Sequence, residues 1–92
     1  MREFEGRHIL VTGASTGIGL ATARLLARRG ARVFLIARTQ AKLLEATQAI
    51  RLAGGEAASG ATDVSDHEAL RATITKAEGL FGPVEGLFAN AA

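Results

Sequence analysis

Ninety-two residues leave room for one small domain, since a chain of that size buries only about 60% of its unfolded surface, and they exclude a long linker or a second core. An apolar share of 48% against 22% charged residues excludes a disordered chain, and the absence of cysteine excludes disulfides and thiolate metal sites. The net charge is only +2, and the pI near 9.9 follows from the lack of tyrosine and cysteine groups that titrate between histidine and lysine, so it is no nucleic-acid footprint.

Along the chain, short apolar runs alternate with stretches of helical spacing. His8-Ile9-Leu10-Val11 reads as a first strand, followed by the glycine-rich turn Thr12-Gly13-Ala14-Ser15-Thr16-Gly17-Ile18-Gly19. A helix is expected over 18–29, with Ile18, Ala21, Thr22 and Leu25 as its inner stripe and Gly30 as its C-cap. Arg32-Val33-Phe34-Leu35-Ile36-Ala37 has the near-continuous apolar character of a parallel strand covered on both faces. Thr39 can cap a helix over 40–53 with Leu43, Ala46 and Ile50 inward, and Gly54-Gly55 stops it. The Ala-rich run 56–62 is taken as a third strand because the alternation demands one there. Ser65 and Glu68 stand in the reciprocal positions of a capping box, and the helix behind them buries Leu70, Ile74 and Ala77. Gly82-Pro83 breaks the chain before a fourth strand over 84–89.

Such alternation means right-handed βαβ units, an α/β fold with a parallel sheet between helices. Nucleotide-binding winding would give a Rossmann-like doubly wound sheet of strand order 3-2-1-4, with ligand over the carboxyl ends of strands 1 and 4, where the order reverses. The turn itself suits an anion. Gly13, Gly17 and Gly19 permit a tight backbone, and the helix behind them aims unpaired N–H groups and its positive dipole end at the occupant, for which a pyrophosphate fits best. Their spacing, G-x-x-x-G-x-G, departs from the G-x-G-x-x-G dinucleotide fingerprint. With Thr12 before the first glycine and Ile18 between the last two, it resembles the short-chain dehydrogenase/reductase family, whose turn reads T-G-x-x-x-G-I-G. The resemblance implies cofactor contacts from Gly13, Ser15, Thr16, Gly17, Ile18 and Gly19.

Arg38 follows the second strand, about 20 residues past the first glycines, where such folds inspect the adenosine ribose. An acid there would bind a free 2′-hydroxyl, whereas a guanidinium offers a rigid donor fork for a phosphate, so NADP is expected over NAD. In the family a basic residue here similarly goes with NADP. Asp63-Val64 resembles the family's aspartate after the third strand, which holds the adenine amino group while the next residue packs on the ring. Ala89-Asn90-Ala91-Ala92 falls where the family has N-N-A-G, so the resemblance sets Asn90 and Ala91 beside the cofactor ribose, with Asn90 tying the fourth strand to the first. A register one residue later, with Asn90 as the motif's first position, is also open. Each of these residues also has an ordinary reading: Arg38 as a solvated arginine, Asp63 as a turn or capping residue, Asn90 as a turn asparagine. His8 and His67 have no partner at ligand or catalytic spacing and are read as structural or solvated.

In the family a serine, a tyrosine and a lysine further along carry the chemistry. This sequence has no tyrosine, and Lys42 and Lys76 lie in cofactor-side helices. Residues 1–92 are therefore expected to be the N-terminal, cofactor-binding half of an NADP-dependent oxidoreductase, inactive alone. The parent would move a hydride between nicotinamide and a carbonyl or alcohol. A stand-alone nucleotide-binding module, or an engineered Rossmann fragment, is the alternative. Expected partners are the dinucleotide, a small-molecule substrate in the parent and further copies of the chain. The charged opening Met1-Arg2-Glu3-Phe4-Glu5 and the lack of a long apolar stretch lead us to expect a cytoplasmic protein with neither membrane nor nucleic-acid partner.

Overall fold

The uninterrupted apolar run from Val33 to Ala37 is buried in full, because the strand that contains it lies inside a four-stranded parallel sheet. The computed structural model describes residues 3–90. Strands and helices alternate strictly: β1 His8–Thr12, α1 Gly17–Arg28, β2 Arg32–Ala37, α2 Gln40–Leu52, β3 Glu56–Ala61, α3 His67–Phe81 and β4 Gly86–Phe88. The sheet order is β3-β2-β1-β4, as the winding requires, with Val11 of β1 between Leu35 of β2 and Phe88 of β4.

Strand side chains alternate faces, and that alternation divides the core in two. Ile9, Val11, Val33, Leu35 and Ala57 meet Ala23 and Ala27 of α1 and Leu43, Ala46 and Ile50 of α2. Leu10, Phe34, Ile36 and Ala58 meet Leu70, Ile74, Ala77 and Phe81 of α3 on the other side. β3 is small-residued for a reason that periodicity does not reveal. A Cβ on Gly60 would lie 2.8 Å from Thr73 Cγ2, so α3 approaches as closely as it does only because the strand has no bulk there.

Several expectations need correction. The inner face of α1 is Gly19, Ala23 and Ala27, not the stripe Ile18, Ala21, Thr22 and Leu25, and Ile18 and Leu25 are 69% and 43% exposed. Small residues at i, i+4 and i+8 let the helix lie close on β1 and β2, which outweighs the burial that larger side chains would gain. The N-cap of α3 is Asp66, whose side chain accepts from the Ala69 N–H at 3.1 Å. Ser65 does not cap the helix, because it stands one residue before the N-cap, where its N–H and hydroxyl both donate to Asp63 Oδ1. Thr39 does sit at the N-cap of α2 but makes no side-chain cap bond. β4 is three residues long, shorter than the expected 84–89. β3 ends at Ala61, one residue early. The predicted C-cap Gly30 follows the cap residue Arg29, with φ +94°.

Candidate functional site

Every strand of the sheet runs in the same direction, so the turns after their carboxyl ends gather on one side of the molecule. A cleft of about 500 Å³ opens there, lined by Thr12, Gly13, Ser15 and Thr16 after β1, by Ala37, Arg38 and Thr39 after β2, by residues 62–65 after β3 and by Asn90 after β4. It spans the point where the strand order reverses between β1 and β4, the usual ligand position in open α/β sheets.

Its first wall is the glycine turn. Gly13 has φ +60°, and a Cβ there would stand 2.7 Å from the Asn90 carbonyl oxygen, so both dihedral and space demand glycine. A Cβ on Gly19 would lie 2.0 Å from the Gly13 carbonyl, which is how the first turn of α1 packs onto the loop. Asn90 closes the other side. Its N–H donates to Thr12 Oγ1 at 3.1 Å and its Nδ2 reaches the Gly13 carbonyl at 3.5 Å, so the expected tie between the fourth and first strands is present. Thr16 caps α1 without a side-chain hydrogen bond, and no acidic residue stands in that helix's first turn. α3, by contrast, satisfies its start with Asp66 and carries Glu68 in its first turn. The positive end of α1 is thus left uncompensated beside the cleft, the condition for holding an anion.

The second wall is charged. Arg38 Nη2 donates to Asp63 Oδ2 at 3.3 Å. Asp63 Oδ1 accepts the Ser65 N–H at 2.9 Å and the Ser65 hydroxyl at 2.7 Å, an Asx turn that fixes the carboxylate. Those two bonds from Ser65, and then the Arg38 charge, hold the Asp63 carboxyl below the usual aspartate value. Val64 is an exposed apolar residue on the cleft's rim.

Of the residues expected to bind cofactor, Gly13, Ser15, Thr16, Arg38, Asp63, Val64 and Asn90 line this one cleft. Gly17 and Ile18 are exposed at the start of α1, and Gly19 is buried beneath Gly13, so these three shape the turn without lining the cleft. Ala91 lies outside the described residues. Thr12 of the turn and Ala37 at the end of the second strand line it too, as do Thr39, Thr62 and Ser65, to which the sequence assigns no cofactor contact. Of Thr39, Thr62 and Ser65, only Ser65 leaves a signal in the sequence, a hydroxyl residue two positions after an aspartate. His8 is buried and structural: its Nδ1 donates to the Gly82 carbonyl at 2.8 Å and its ring meets the Phe81 ring edge-on at 5.4 Å. His67 is exposed in the first turn of α3. Among the described residues no group of three or more His, Cys, Asp or Glu side chains could hold a metal ion, and no helix is long and apolar enough to cross a membrane. A second concavity of about 490 Å³, between α1 and α2 with Arg24 and Arg28 on its wall, contains none of the residues expected to bind cofactor.

Residues 7–92 match the family model for short chain dehydrogenase. The chain belongs to the short-chain dehydrogenase family. This short-chain dehydrogenase sequence is 42% identical over 87 residues to a 3-dehydrosphinganine reductase of Arabidopsis thaliana, covering 94% of the chain and 26% of that protein. Its fold superimposes on an actinorhodin polyketide ketoreductase variant solved with NADPH at a TM-score of 0.89 and 37% identity, covering all of the chain (100%) and 34% of that structure. A metagenomic short-chain oxidoreductase in complex with NADP is similar at a TM-score of 0.85 and 44% identity, over 91% of the chain and 38% of its own length. The chain thus spans about a third of the length of the proteins it matches.

Proposed function

We propose that this chain is the pyrophosphate- and adenosine-binding part of an NADP-dependent short-chain dehydrogenase, whose complete form moves a hydride between NADP(H) and a carbonyl or alcohol of a small-molecule substrate. The observation that carries the reading is the meeting of Gly13, Arg38 and Asp63 in one cleft over the carboxyl ends of the strands. The turn and the start of α1 would hold the pyrophosphate, Arg38 the 2′-phosphate, Asp63 the adenine amino group with Val64 on the ring, and Asn90 would border a ribose. The NADPH and NADP complexes of similar structures support the cofactor. When bound, the nicotinamide supplies the hydride chemistry, and the residues described here bind and orient it.

Titrating the chain with NADPH and NADH, followed by nicotinamide fluorescence, tests this. Without tryptophan or tyrosine, the protein contributes little background emission. Tighter binding of NADPH than of NADH is expected, and equal affinity would remove the role of Arg38. The 92 residues alone should reduce no carbonyl, because they contain no tyrosine to act as general acid, a contribution of about 10² to 10⁴-fold in rate, and because the substrate-binding part belongs to the longer protein. Turnover by the rigorously purified chain would overturn the assignment as a cofactor-binding part.

A further inference from the structure

We infer that the Arg38–Asp63 ion pair is a latch across the adenosine end of the cleft that a 2′-phosphate opens and a 2′-hydroxyl does not, so that it acts against NAD as well as for NADP. The inference rests on the dinucleotide reading above. Without ligand, Asp63 Oδ1 is occupied twice by Ser65, and Oδ2, the oxygen that Ser65 leaves open, is held by Arg38 at 3.3 Å. Both residues line the cleft, so an incoming base that donates an amino hydrogen to Asp63 finds only the lone pair that the guanidinium leaves free.

A 2′-phosphate changes that competition. It carries more charge than one carboxylate and presents several acceptor oxygens to the planar fork, so Arg38 gains by exchanging Asp63 for it. The exchange is easy, because the Arg38 side chain is 79% exposed and a solvent-exposed ion pair holds only weakly. Once Arg38 has moved, Asp63 Oδ2 is free for the base. NAD offers a neutral hydroxyl at that place, which does not draw the guanidinium away. Its base therefore meets an Asp63 that is still engaged.

The test is the affinity for NADH in Arg38→Ala, read with NADPH alongside. A merely absent phosphate contact predicts weaker NADPH and unchanged NADH. The latch predicts that NADPH weakens by about 10 to 150-fold, the worth of a charged hydrogen bond, while NADH tightens by about two- to fivefold, the worth of an exposed pair. In an Asp63→Asn background the gain for NADH should disappear, because the carboxylate that the arginine blocked is gone. Unchanged or weaker NADH binding in Arg38→Ala overturns the latch and leaves the dinucleotide reading standing. So does a gain that persists with Asp63→Asn, since it would come from the removal of bulk. An unsubstituted chain that binds neither cofactor overturns both.

Discussion

Asp63 keeps its charge to lower pH than an ordinary aspartate, because the Ser65 N–H, the Ser65 hydroxyl and the Arg38 guanidinium each favour the ionised form. The folded chain therefore binds fewer protons at this site than the unfolded one. The stability contributed is present above the ordinary aspartate range and is lost as pH falls through the lowered value. Ser65 is the larger cause and Arg38 the smaller. In an NMR titration of the Asp63 carboxyl, Ser65→Ala and Arg38→Ala should each move the midpoint part of the way back towards the ordinary value, and neither the whole way, because the N–H of residue 65 remains in both. A midpoint that reaches the ordinary value in Arg38→Ala alone would make the ion pair, not the Asx turn, the main support of the carboxylate. One position earlier than the arginine, Ala37 lines the same cleft while belonging to the buried core. Adding Ala37→Asp to Arg38→Ala should turn the ratio of dissociation constants for NADP and NAD towards NAD, through attraction of ribose hydroxyls and repulsion of phosphate. The carboxylate at a buried position will also cost stability. Calorimetry at one salt concentration should accordingly compare the ratio, and an unmoved ratio would show that the adenosine ribose is not read at the end of β2.

At the scale of elements, α1 teaches most. Gly19, Ala23 and Ala27 form its buried line, and the larger Ile18 and Leu25 stand outside it. Ala23→Leu should therefore overpack the contact with the sheet and destabilise by about 1 to 3 kcal/mol. Leu25→Ala, on the half-exposed side, should stay near 0.5 kcal/mol, as roughly holds for surface changes. Urea unfolding of the two variants decides it, and the reverse order would restore the larger residues to the core. This helix also shows what the sequence did and did not disclose. Its existence and ends were readable from Gly17, Gly30 and the periodicity between them, but its face was not, because hydrophobic period credits size and close helix–sheet packing favours the small. β1 and β2 were legible nearly residue by residue, since a strand covered on both faces has no polar alternative. β3 was legible only by its place in the alternation, its lack of bulk being set by the approach of α3 at Gly60. In the site, Gly13 and Arg38 could be named from a requirement of backbone or charge, and Asp63 and Asn90 only from the family resemblance. Thr39 and Thr62 could not, for small cleft-lining residues leave no pattern until the fold brings them together.

The molecule as a whole is lopsided. Two helices cover one face of the sheet, and among the described residues α3 alone covers the other. Among the described residues β4 pairs only with β1, and its Leu87 and Phe88 are 63% and 40% exposed. A strand edge with apolar side chains on it is a template for another chain, and nothing in β4 blunts it: Gly86-Leu87-Phe88 contains neither charge nor proline. The occupant that this protein can always supply is a second copy of itself, pairing β4 with β4 and burying Leu87 and Phe88 in one step. We therefore expect concentration-dependent association of the chain, visible in sedimentation velocity as a shift from monomer to dimer or larger species through the micromolar range. Leu87→Lys should suppress it, because the substitution places a charge on the edge where the contact forms and, the side chain being mostly exposed, leaves the fold intact. A single monomeric boundary for the unsubstituted chain at high micromolar concentration would show that three residues of open edge are too short to recruit a partner.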